Sequence, residues 1–142
     1  MADLRFCAYQ YQHLPLNALR RRWRDAERCG FDVLWNCDTV VEPDRPRHTM
    51  FDGPATLTMM AADTHRIRVG TLITSLYFRQ PVTFAKASVT VDHLSGGRVE
   101  LALGWVTRPR APGPAAWTGR LVNGSPGSVS SSSWSACCCV RR

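Results

Sequence analysis

The chain has 142 residues, 44% of them hydrophobic, which suffices for one domain with its own core. No apolar run approaches the roughly 20 residues that cross a bilayer, and the opening MADLRFCAYQ lacks the pattern of a signal peptide, so a cytoplasmic protein without membrane contact is expected. The net charge of +7 is unevenly spread: residues 1–104 hold 13 Lys+Arg against 11 Asp+Glu, whereas 105–142 hold five arginines and no acid.

In chain order, LRFCAYQ alternates Leu4, Phe6 and Ala8 against Arg5, Cys7 and Tyr9, as a strand does. Pro15 opens a helix with Leu16, Leu19, Trp23 and Ala26 on one face, and Gly30 is placed to end it. FDVLWNC is the second strand, and a polar loop is predicted from about Val41 to Asp52. DGPATLTMMAADT reads as a second helix with Pro54 in its first turn and Leu57, Met60 and Ala61 on one side. RIRVGTLIT is rich in β-branched residues and forms a third strand; QPVTFAKASVTVDHL is a third helix and, after the turn SGG, RVELALG a fourth strand. Strands thus begin near residues 4, 33, 67 and 99. A spacing of roughly 30 is the length of a strand plus a crossover helix, so the fold class is α/β with βαβ units and a parallel sheet.

Cys7, Cys29 and Cys37 lie in apolar surroundings without a Cys or His at ligand spacing, and read as ordinary buried thiols. The run Cys137–Cys139 lacks the spacing that lets two thiolates reach one tetrahedral ion, so no metal site is expected. In LRRRWR the arginines take the solvent side of a helix while Trp23 faces the sheet; nucleic acid is not implied. SGGR is a tight helix-to-strand turn, because no helix follows it to bind a phosphate. Met59 and Met60 beside Leu57 are core residues. His13 and His48 fall in loops near strand C-terminal ends, where an exposed loop histidine competes with a site residue; His65 and His93 fall on the opposite face. Beyond Gly104, four prolines, four glycines and no regular period predict disorder, yet Asp, Glu and Lys are all missing, which is unlike a usual disordered tail.

The segments AERCGFDVLW, TLTMMAADTHRIRVGTLIT and FRQPVTFAKASVTVDHLSGGRVELALG together resemble the N-terminal half of the bacterial-luciferase-like family, and most of all its coenzyme F420-dependent branch. The resemblance covers about residues 4–104. It implies the first four β/α repeats of a (β/α)₈ TIM barrel, with coenzyme F420, or alternatively FMN, at the C-terminal ends of the strands. In that family the third strand ends in a bulge against the cofactor ring, often with a non-prolyl cis peptide, which falls here on Leu72, Ile73, Thr74 and Ser75. The second strand commonly ends in an Asp-His pair; the matching positions are Asp38 and Thr39, so the titratable histidine is missing. Asp38 is read as a polar contact to the cofactor, with an ordinary strand-end or turn residue as the alternative. Tyr11 and His13 are candidates for the substrate pocket wall; catalytic residues stay unassigned.

The resemblance therefore implies residues 1–104 as a luciferase-like half barrel from an oxidoreductase that transfers hydride between a deazaflavin or flavin and a small organic substrate. Residues 105–142 form a basic tail expected to be a frameshift product. With one plausible set of codons, reading Ser130–Cys139 one base earlier gives Glu-Leu-Glu-Leu-Val-Glu-Arg-Leu-Leu-Leu, a string of helix formers that restores the missing acids. An open half barrel leaves Leu4–Gln10 and Val99–Leu103 as unpaired edges, so self-association and little activity are expected. The alternative is a non-enzymatic half-barrel interaction module that self-associates and binds an anionic partner through its tail.

Overall fold

The structure, a computed structural model, describes residues 4–42, 45–104 and the pair Ser135–Ala136. Four strands run parallel in chain order: β1 (Cys7–Tyr9), β2 (Val33–Asn36), β5 (Arg68–Ser75) and β6 (Val99–Gly104). Between them lie α1 (Leu16–Arg28), α2 (Gly53–Asp63) and α3 (Pro81–Ser95). The sheet order is β6-β5-β2-β1-β7, with β7 (Ser135–Ala136) antiparallel on the β1 edge. The predicted α/β sequence of strands and helices is therefore observed.

Each helix begins where the sequence supplies a start. Pro15 precedes α1, Asp52 caps α2 by accepting from the Ala55 N–H at 3.0 Å, and the Gln80 side chain accepts from Thr83 N–H at 2.8 Å ahead of α3. The α3 helix stops at Gly96, whose φ of 72° suits a residue without a Cβ, and its amide closes on the His93 carbonyl. The SGGR stretch is thus a turn, as its residues predict.

The two faces of the sheet carry different cores. On the helix side, Ala8, Leu34 and Val69 pack against Leu19, Trp23 and Ala26 of α1, Leu57, Met60 and Ala61 of α2, and Val91 of α3. Cys7, Val33 and Trp35 form the second cluster, with Tyr9, Leu72 and Ala102 beside them. This split is the period of two expected of strands that feed both a helix layer and a barrel interior.

At the N-terminal rim of the strands, charged side chains tie the turns to backbone groups. Asp32 accepts from Phe6 N–H at 2.7 Å, and one Glu27 oxygen accepts from the N–H groups of His65, Arg66 and Ile67 at 2.8, 2.6 and 3.0 Å. Arg98 donates to the carbonyls of Ala61, Thr64, Ile67 and Ser95 at 2.8 to 2.9 Å, joining the end of α2 to the start of β6.

Several expectations need correction. The predicted loop after β2 contains a hairpin, β3 (Val41–Glu42) and β4 (Arg45–Thr49), whose Pro46 is tolerated because a two-stranded ribbon has only edge strands; His48 lies within it. Cys29 is exposed, because it caps the C-terminus of α1 outside the helix–sheet contact. Leu16, at the first turn of α1, is 38% exposed, and Met59 points away from the core that takes Met60. Two arginines of α1, Arg20 and Arg24, pair with Asp63 on the neighbouring helix, while Arg28 pairs with Asp25 on α1 itself. The β1 edge is not left unpaired, since Ala8 and Tyr9 pair with Ala136 and Ser135; unpaired strand edges accept any strand within reach. The remaining residues of the tail lie outside the described residues. Among the described residues, no helix is long and apolar enough to cross a membrane.

Candidate functional site

The C-terminal ends of β1, β2 and β5 come together beside the first turn of α2. The chain leaving β1 carries Tyr9, Tyr11 and His13, with ring centroids 5.2 Å apart for the first pair, edge to face, and 6.4 Å for the second. Gln12 is buried and works as a clasp: its Nε2 donates to the carbonyls of Cys37 at 2.6 Å and Phe51 at 3.2 Å, while its Oε1 accepts from Cys37 N–H at 3.2 Å. Nothing in the sequence distinguishes Gln12 from a loop glutamine, because its partners are backbone groups distant in the chain.

Beyond β2 come Cys37, Asp38 and Thr39. Burial pushes the Cys37 thiol above its ordinary value, against the pull of hydrogen bonds to Thr39 and Tyr9, and it donates to Gln12 Oε1 at 3.0 Å. Burial, then the neighbouring Cys37 and Tyr11, raise Tyr9 well above an ordinary phenol. Both groups are therefore neutral near pH 7, and neither is a ready nucleophile or base.

The strand β5 is irregular where the resemblance placed a bulge. The Leu72–Ile73 peptide is cis, and the register with β6 breaks between Thr71 and Thr74 before resuming at Leu103 and Gly104. Thr74 and Ser75 are fully buried. The Thr74 hydroxyl has no hydrogen-bond partner among the described residues, and the same holds for Thr71 Oγ1 and Asn36 Oδ1 on the paired strand ends.

Asp38, 4% exposed, is bound on both oxygens. Oδ2 accepts from Ser75 N–H at 3.2 Å and from Arg79 Nε at 3.1 Å, and Oδ1 accepts from Arg79 Nη2. Arg79 Nη2 also pairs with Asp52, the cap of α2. Its guanidinium is held above its ordinary pKa by Asp38 first, against partial burial, with Asp52 assisting. Close approach at this point requires glycine. A Cβ on Gly53 would lie 2.6 Å from the Cys37 carbonyl oxygen and 3.1 Å from Asp38 Cα, and the Gly53 carbonyl accepts from Asn36 Nδ2 at 2.8 Å.

The structure thus brings Asp38, Thr39 and Ser75 together: Thr39 is linked to Cys37 by a 3.5 Å sulfur–oxygen contact, and Leu72, Ile73 and Thr74 form the bulge that Ser75 ends. Tyr11 and His13 stand on the neighbouring β1 end. The residue that sequence reasoning missed is Arg79. Its signal was an arginine just before the Pro81 helix start, but its partner Asp38 is 41 positions away.

As a seat for a flavin-like group, these residues suit the ring: an apolar bulge, a buried hydroxyl with an open hydrogen bond, and aromatic side chains alongside. Arg79, at these strand ends, is already held by two carboxylates and so is not free to take the phosphate-bearing tail.

Comparison with known proteins agrees with the fold. The solved coenzyme F420-dependent tetrahydromethanopterin reductase of Methanopyrus kandleri superposes with a TM-score of 0.60 at 25% identity, covering 71% of this chain and 27% of that one. The crystal structure of apo-MsnO8 gives a TM-score of 0.62 at 19% identity, covering 78% and 35%, a likeness of fold alone. In sequence, the chain is 35% identical over 79 residues to a Mycobacterium tuberculosis protein provisionally named a coenzyme F420-dependent oxidoreductase, covering 56% of this chain and 20% of that protein. It is also 35% identical over 89 residues to the 4-hydroxyprotoasukamycin monooxygenase of Streptomyces nodosus subsp. asukaensis, covering 58% and 23%. The chain thus spans about a fifth to a quarter of the length of these curated relatives. Residues 4–109 match the model of the luciferase-like monooxygenase family, and the chain belongs to that family.

Proposed function

We propose that the chain is the N-terminal portion of an oxidoreductase that binds coenzyme F420, with FMN as the alternative, and acts on a small organic substrate. The observation that carries this is the β5 bulge at Leu72–Ser75, with its buried Thr74 hydroxyl unpaired among the described residues, lying against Asp38 beyond the C-terminal end of β2. When bound, the deazaflavin or flavin supplies hydride transfer. The chain's own part is to seat and orient the ring: Leu72 and Ile73 give an apolar surface, Thr74 offers a hydrogen bond, Asp38 and Ser75 fix the bulge, and Thr39 can hydrogen-bond but not titrate. Tyr11 and His13, on the neighbouring β1 end, would contribute to a substrate wall. The cofactor tail and the remaining wall would have to come from outside residues 4–104, so turnover by this chain alone is expected to be low.

Titration with coenzyme F420 and with FMN, followed by quenching of cofactor fluorescence, tests this reading. Saturable quenching at one cofactor per chain, tighter for F420, is the expected result; absence of saturable quenching with both would overturn it. A second reading is favoured by β6, an open edge among the described residues, where Leu101 and Leu103 are 42% and 55% exposed. That reading is a half barrel that self-associates without catalysis and holds an anionic partner through its basic tail. Salt-sensitive binding to an anionic polymer that disappears on removal of residues 105–142, with no cofactor quenching, would favour it.

A further inference from the structure

Arg79 joins three separate pieces of chain. As a fork, its Nε and Nη2 reach the two oxygens of Asp38 beyond β2; its Nη2 also reaches Asp52 at the start of α2; and it stands in the turn that follows β5. The Asp38 carboxylate in turn holds the Ser75 amide at 3.2 Å. Between Thr71 and Thr74 the register of β5 with β6 is interrupted, so this stretch lacks the regular ladder that holds the rest of the strand. The tether at Ser75 adds a side-chain restraint at the C-terminal end of the bulge, where the ladder with β6 resumes at Thr74 and Ser75 and the Leu76 N–H donates to the Gly104 carbonyl at 3.0 Å.

We propose that Arg79 is a positioning residue: by fixing Asp38 against the Ser75 amide it sets the shape of the Leu72–Ser75 bulge, and hence the surface offered to a cofactor ring. The proposal rests on the cofactor reading above and adds to it the residue on which the site's shape depends. The chemistry favours arginine specifically. Two parallel N–H groups match a carboxylate edge to edge, and the remaining donor capacity of Nη2 reaches a second carboxylate without moving the first. A lysine in the same place offers charge at one point and leaves the carboxylate free to rotate. Without any cation, Asp38 is a buried charge facing Asp52, and the segment has reason to rearrange.

Amide hydrogen exchange on the full chain, compared among wild type, Arg79→Lys and Arg79→Met, tests the proposal without requiring activity. Amides of residues 72–76 are expected to exchange at least tenfold faster in both variants, while those of β1 and α1 stay within about twofold of wild type. The same three proteins are titrated with FMN and with coenzyme F420. The expected loss of affinity is tenfold or more, with an altered visible circular dichroism of bound FMN. Wild-type exchange and affinity in Arg79→Lys would overturn the proposal, because charge alone would then suffice. A uniform rise in exchange over all elements in both variants would overturn it too, making Arg79 a general stabiliser. Local acceleration in both variants of a chain that binds neither cofactor would uphold the hold on the bulge and sink the cofactor reading instead.

Discussion

At the scale of single residues, Glu27 shows how a surface carboxylate becomes structural. Burial works to raise its pKa, but the backbone N–H groups of Arg66, Ile67 and His65 outweigh this and hold it below its ordinary value. Asp63 is lowered as well, by hydrogen bonds from Arg20 and then, against burial, from Arg24. A carboxylate whose native pKa lies below its unfolded value contributes stability fully above the unfolded value of about 4. That contribution declines as pH falls into this range and is lost as pH passes the native value. Urea midpoints measured from pH 7 down to pH 3 are therefore expected to fall with acid, and to fall less steeply in Glu27→Gln. Gly53→Ala is expected to cost about 1 to 3 kcal/mol in urea unfolding, because the added methyl meets backbone rather than a yielding side chain. Among Cys7, Cys29 and Cys37, peptide mapping after brief iodoacetamide treatment at pH 7.5 should find Cys29 modified first, as Cys37 is buried and its thiol raised.

At the scale of elements, Arg98 is the device that holds the third repeat to the second. Its guanidinium occupies carbonyls at the end of α2 that have no helical donor, and burial lowers its pKa somewhat against the favourable field of Glu27. Arg98→Met leaves these carbonyls without that partner and is expected to lower stability by about 2 to 4 kcal/mol in urea unfolding. Arg98→Lys should recover only a minor part, since one ammonium cannot reach Ala61, Thr64, Ile67 and Ser95 together.

Elements of this kind were legible in the sequence to different degrees. The helices were readable from Pro15, Pro54 and Pro81 at their starts and from the spacing of Leu19, Trp23 and Ala26. The hairpin at 41–49 was not, because charges and prolines there suppress any alternating apolar signal. The bulge was foreseen through family likeness, not through propensity: RVGTLITS by itself reads as an unbroken strand. The bonding of Asp38 was hidden altogether, since ion pairing between residues 41 positions apart leaves no local pattern.

At the scale of the whole molecule, four parallel strands with helices on one side leave β6, among the described residues, as an open edge. In a closed barrel both edges would be paired. Leu101 and Leu103, exposed along β6, and Val82, Val89 and Leu94, exposed on α3, form apolar surface of the kind that drives association. Sedimentation velocity over a hundredfold range of concentration is expected to show growing oligomers, and Leu103→Lys should shift the distribution toward monomer. A species that stays monomeric across that range would show the edge to be protected. Whether Trp105 onward is a shifted frame is decided by resequencing the DNA across codons 100–142.

The two rims of the sheet differ in how fully their polar groups are matched. At the N-terminal rim, Asp32, Glu27 and Arg98 pair charged side chains with backbone donors and acceptors, whereas at the opposite rim Asn36 Oδ1, Thr71 Oγ1 and Thr74 Oγ1 are buried without a partner among the described residues. Selection on such a chain would act through two separate channels. Changes at the first rim would be felt as loss of protein from the cell, whatever molecule it handles; changes at the unpaired groups of the second, unlike Gly53→Ala beside them, would bear less on abundance and, on the proposed reading, alter what is bound. A saturation library sorted once for abundance and once for ligand capture would divide into two sets of positions, one at each end of the strands.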